Sequence, residues 1–94
     1  MKHHILVKWA DPAMCQEHVC REVEALFQET LSIPGVHKVE VLPNVVDRPN
    51  RYDLLILITM DREALEVYDA CDAHHRWKDG YGAKIEKKAI FDCE

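Results

Sequence analysis

Glycine occurs only at Gly35, Gly80 and Gly82, and each reads as punctuation between elements. No Gly-rich phosphate loop can be built from them, so no nucleotide cofactor is implied. The cysteines Cys15, Cys20, Cys71 and Cys93 include no Cys-x-x-Cys and are read as free thiols. The histidines lack both His-x-x-x-His and His-Glu-x-x-His spacing, which argues against a metal centre. No run approaches the roughly 20 apolar residues of a membrane span, and the apolar stretch after Met1 is too short for a signal peptide. A cytoplasmic protein with no membrane contact is expected. Basic residues are also scarce: 12 Lys and Arg against 17 Asp and Glu give a net charge of −5, which argues against a nucleic-acid partner.

What remains is an ordinary globular composition, 48% hydrophobic and 31% charged, in a chain sized for one domain over residues 1–94. Its one long apolar run, Tyr52 to Met60, reads as a central strand. Side chains alternate along a strand, so Tyr52, Leu54, Ile56, Ile58 and Met60 face one way and Leu55 and Leu57 the other. Both faces are apolar, and helices on one side cannot cover both.

Around that strand, His3 to Trp9 alternates as a first strand, and Asp11-Pro12 predicts the start of a first helix. Val19, Val23, Leu26, Phe27, Thr30 and Leu31 form its inward stripe, and Ile33-Pro34-Gly35 ends it. Val36 to Leu42 predicts an edge strand with His37, Val39 and Val41 on one face. Pro43 to Arg51 predicts a mobile, lid-like connection with Val45 and Val46 tucked against the body. Asp61 predicts the cap of a second helix, Arg62 to about Ala70. Asp72 predicts a further turn or two through Trp77, stopped by Gly80 and Gly82. Lys84 to Asp92 predicts the last strand, with Ile85, Ala89 and Phe91 on one side and Ile90 on the other.

The order βαββαβ predicts an α+β, ferredoxin-like plait: a four-stranded antiparallel sheet with helices on one face. The open apolar face predicts a homodimer in which two sheets pack into an α/β barrel.

Lys2-His3-His4-Ile5-Leu6-Val7-Lys8-Trp9, Ile33-Pro34-Gly35-Val36, Tyr52-Asp53, Tyr68, Asp72-Ala73-His74 with Trp77, and Ile90-Phe91-Asp92 resemble, in order and spacing, the stress-responsive dimeric α/β barrel (Dabb) family. The resemblance spans nearly the whole chain. It implies a small homodimer with a pocket between sheet and helices. A plant branch of that family, olivetolic acid cyclase, closes a ring by aldol-type chemistry without cofactor or metal. Its acid/base Tyr and His match Tyr68 and His74 here, and its first-strand histidine matches His3. Where the family often has His-Pro-Ala-His this chain has Cys71-Asp72-Ala73-His74, and Leu54 stands where the cyclase has a third-strand pocket histidine.

A His and a Tyr facing one pocket suit chemistry next to a carbonyl, because imidazole can take a proton and a phenol can donate to an enolate. The resemblance therefore implies a cofactor-independent binding protein for a small apolar or carbonyl-containing molecule, with His3, Leu54, Trp77 and Cys71 beside Tyr68 and His74. The alternatives are a cyclase, isomerase or lyase with His74 and Tyr68 as its acid/base pair, or a cofactor-free monooxygenase on the same scaffold. For Cys71, flanked by Asp69 and Asp72, negative charge disfavours a reactive thiolate.

Overall fold

A computed structural model covers residues 1–94. Strands β1 (Lys2–Trp9), β2 (Val36–Pro43), β3 (Leu54–Met60) and β4 (Ile85–Cys93) form one antiparallel sheet in the order β2-β3-β1-β4. Helices α1 (Glu17–Gln28), α2 (Leu65–Asp69) and α3 (Asp72–Tyr81) complete an α+β, ferredoxin-like fold.

Residues opposite one another in an antiparallel ladder share a face, so the register assigns each side chain its layer. On the helix side, Val41, Ile56, Ile5 and Ile90 form one row across all four strands, and Val39, Ile58, His3 and Asp92 form the next. Val19, Val23 and Phe27 of α1, Tyr68 of α2 and Trp77 of α3 close over these rows. Trp77 meets Phe27 edge-on at 5.2 Å and lies 6.3 Å from Trp9, within the range of favourable aromatic pairs. The opposite face carries Leu42, Leu55, Leu6 and Ala89 in one row and Glu40, Leu57, His4 and Phe91 in the next. No helix covers it, and Leu42 and Phe91 are 47% and 61% exposed.

Several local details depart from the sequence reading. A bulge between Val36 and Lys38 turns His37 out to solvent and leaves Val36, Val39 and Val41 inward. A second irregularity, opposite Lys8 and Trp9, moves Ile85 to the helix side with Ile90. Asp11 caps only a 3-10 turn, Pro12–Met14, because Gln16 is extended and restarts the chain at α1. The Asp61 side chain makes no capping bond to the next turn, whose Ala64 N–H is accepted by the Asp61 backbone carbonyl at 3.0 Å, and instead accepts from His37 at 3.0 Å. Helix α3 is longer than expected: Gly80 lies inside it and Gly82 caps it. Its N-cap is Cys71 rather than Asp72, with Sγ accepting the His74 backbone N–H at 3.4 Å. Val45 and Val46 are exposed rather than tucked in.

Gly35 has φ of +91°, where a side chain is strained. An added Cβ would lie 3.2 Å from both Ala64 Cβ and Asp61 Oδ2, while the Gly35 carbonyl accepts the Asp61 N–H at 2.8 Å. Gly35→Ala is expected to cost roughly 1–3 kcal/mol, read as a lower urea midpoint at unchanged slope.

Candidate functional site

The helix-side face of the sheet is apolar except near one end. There, β1 and β4 place His3 directly opposite Asp92, and His3 Nδ1 lies 2.5 Å from the Asp92 carboxylate. A carboxylate oxygen accepts, so Nδ1 carries the proton and, in the neutral ring, Nε2 keeps a free lone pair. His3 is 6% exposed, and its ring meets Tyr68 edge-on at 5.4 Å.

His74 approaches from the helix layer. The break between α2 and α3, capped by Cys71, sets it in the first turn of α3, where Nδ1–H donates to the Asp69 carbonyl at 2.9 Å. A carbonyl only accepts, so here too Nε2 is the free base. Burial pushes the His74 pKa below its ordinary 6.5, and Lys78 and Lys88 add to this against the opposing pull of Asp69. The ring is therefore neutral at physiological pH. Its centroid lies 5.0 Å from that of Tyr68.

Tyr68 sits beneath the two imidazoles, fully buried, and its hydroxyl has no hydrogen-bond partner. Burial, reinforced by the neighbouring Cys71 and Asp69, raises its pKa well above the usual phenol value, so it remains a neutral donor. Beside the imidazoles opens a cleft of about 340 Å³ whose walls include His3, His74, Trp77, Lys78, Lys88 and Asp92, while Tyr68, packed against both rings, does not itself line it.

The fold thus brings His3, Tyr68, His74 and Trp77 together. Cys71 stands behind them as the α3 cap and lines neither this cleft nor the larger cavity described below. Leu54 lies at the other end of the sheet, in the wall of that larger cavity. His4 points to the open face and His75 is exposed, so neither joins the cleft. No group of three His, Cys, Asp or Glu side chains is placed to hold a metal ion. The sequence reading gives no site role to Asp92, Lys78 or Lys88. A carboxylate two residues from Ile90 on a strand was a visible sign for Asp92, but its partner depends on the β1–β4 register.

No family model matches this chain, and no curated protein matches it. Solved structures do. A dimeric ferredoxin-like protein of unknown function from Jannaschia sp. CCS1 is 20% identical with a TM-score of 0.77, over 99% of this chain and 96% of that one. A protein from Arabidopsis thaliana is 18% identical with a TM-score of 0.76, over 99% and 92%. A Dabb family protein with a ferredoxin-like fold from Mesorhizobium loti is 17% identical with a TM-score of 0.66, over 99% and 93%. At such identities the likeness establishes a shared fold.

Two outcomes are expected. An unpartnered buried hydroxyl costs roughly 1–3 kcal/mol, so Tyr68→Phe should leave stability unchanged or raise it by about 1 kcal/mol in urea denaturation. A loss of several kcal/mol would mean that the hydroxyl is satisfied in solution. For His74, the ring-proton NMR titration should have its midpoint below 6.5. Because the folded pKa is the depressed one, the unfolded chain binds more protons between the two values, so stability falls as pH drops through that window and is fully present above 6.5.

Proposed function

We propose that this chain acts as a cytoplasmic homodimer of the Dabb type that binds a small carbonyl-containing or apolar molecule in the cleft between α3 and the sheet. The observation that carries this reading is a cleft walled by His3 and His74, the two imidazoles that pack against the ring of the buried Tyr68. The Tyr68 hydroxyl has no protein partner, and a ligand carbonyl reaching past the imidazoles would give it an acceptor. Apolar contact with Trp77 and with Ile5 and Leu65 in the cleft walls suits the body of such a molecule.

A second reading has its own support, the nitrogen assignment of His74. Its Nε2 is an uncharged base beside a phenol that stays protonated, the pairing required for proton transfer next to a carbonyl. In that step the C–H bond breaks, its proton goes to His74 Nε2, and the electron pair moves onto the carbonyl oxygen, which receives a hydrogen bond from Tyr68. Return of the proton at another carbon gives an isomerisation, whereas attack of the enolate on a second carbonyl closes a ring. Neither outcome requires an oxidant or a metal. Asp92 would orient His3 as a second acceptor site.

The homodimer is supported by the uncovered rows of Leu42, Leu55, Leu6 and Ala89 and of Leu57 and Phe91, which a two-fold copy of the same face would bury. The Jannaschia relative is itself described as dimeric. The four free thiols agree with a reducing compartment.

Native mass spectrometry tests both parts at once. The expected result is a mass of about twice the 10.9 kDa chain, carrying a copurified small molecule that is lost in Tyr68→Phe and His74→Ala, with Leu57→Lys converting the protein to monomer. A bare 10.9 kDa species would overturn the proposal.

A further inference from the structure

A second cavity lies at the opposite end of the sheet and stands apart from the reading of the His74 cleft. Its volume of about 620 Å³ falls within the usual range for small-molecule sites. It is bounded by the start of α1, the end of β1 and the connection between β2 and β3. Trp9 and Leu54, both buried, form its floor, and Cys20 of α1 adds to the wall. At its mouth stand Val45, 90% exposed, and Val46, 40% exposed. The Asn44 side chain holds the Val46 backbone, donating to its carbonyl at 2.7 Å and accepting its N–H at 3.2 Å. Two aliphatic side chains thus stand at the rim of a cavity with an apolar floor.

The polar groups around this space are unbalanced. Arg21 is the one cation in the lining, and it is already bonded to Glu17 one turn away. Asp47 and Asp53 form no ion pair, although the charge of Lys8 reaches Cys15 nearby. Asp53 is rigidly held: its Oδ2 accepts the Trp9 N–H at 2.9 Å, its N–H donates to the Val7 carbonyl at 2.8 Å, and its carbonyl accepts the Asn44 N–H at 2.9 Å. The carboxylate is therefore a fixed negative charge at the edge of the apolar floor. Burial and this carboxylate raise the Cys15 pKa, so the nearby thiol stays protonated and adds no nucleophile.

We propose that this cavity is a second ligand site, selective for a small amphipathic amine whose apolar body lies between Trp9, Leu54 and the Val45–Val46 pair and whose ammonium is held by Asp53 and Asp47. An apolar body exploits the floor, and the uncompensated carboxylates reject an anionic head group through like charge.

The test is an NMR titration of the protein with 4-phenylbutylamine, 4-phenylbutanol and 4-phenylbutyrate, which share one apolar body. The amine is expected to give saturable shifts at Trp9, Leu54, Val45 and Val46, with the His3 and His74 rings unmoved, and to bind more tightly than the alcohol and far more tightly than the carboxylate. Asp47→Asn, an exposed change that leaves the fold intact, should weaken the amine roughly two- to fivefold while leaving the alcohol unchanged. Val45→Ser should weaken all of the compounds that bind. Equal affinity for amine and carboxylate, shifts centred on His3 and His74, or no saturable shift from any compound would overturn the proposal.

Discussion

Strand β1 is hydrogen-bonded on both sides, and nearly every other feature follows from that constraint. Once Ile5 is fixed opposite Ile56 and Ile90, the period-two alternation of three strands is locked together, and the inward and outward rows are decided in one step. A slip of one residue would send His3, Ile5, Val7 and Trp9 to the open face and bring Lys8, Leu6 and His4 under the helices. Burying a Lys without a partner is costly enough to exclude that register. The same ladder sets His3 against Asp92.

The two ends of the helix-side face differ in character because different elements reach them. At the His3 end, α2 and α3 are short and meet at a capped break, so backbone groups near Asp69 are free to fix the His74 ring. At the Trp9 end, no long helix begins at once; a single 3-10 turn and an extended residue leave open space that the β2–β3 connection only partly covers. The middle of the sheet, beneath α1 and Trp77, is packed solid. The two ends each open onto a cavity, and the Tyr68 hydroxyl at the His3 end has no protein partner.

The layers of the fold were legible from residue pattern. Leu55 and Leu57 opposing Leu54, Ile56 and Ile58 marked a strand with two apolar faces, and Val19, Val23 and Phe27 marked the stripe of α1; all of these take the sides assigned to them. Local misreadings came from features one or two residues long. Bulges shift a face without changing composition, so Ile85 lies opposite to where simple alternation put it, and the exposed His37 leaves the face of Val39 and Val41. The Cys71 cap follows from where α2 stops, which propensity alone does not specify.

The candidate site was legible only as a set of residue types. Tyr68, His74 and His3 could be named because of their spacing and a family resemblance, and the structure brings their rings within 5.4 Å of one another along the chain His3–Tyr68–His74. What the sequence by itself determined is the fold class and the two apolar faces of the sheet, because both follow from periodicities of two and 3.6 that are local to each segment. Only the tertiary structure decided that Asp92 faces His3, that Leu54 lines a different cavity from His74, and that the Tyr68 hydroxyl is left alone. Those are contacts between residues far apart in the chain, and they are set by strand register and helix placement rather than by any local pattern.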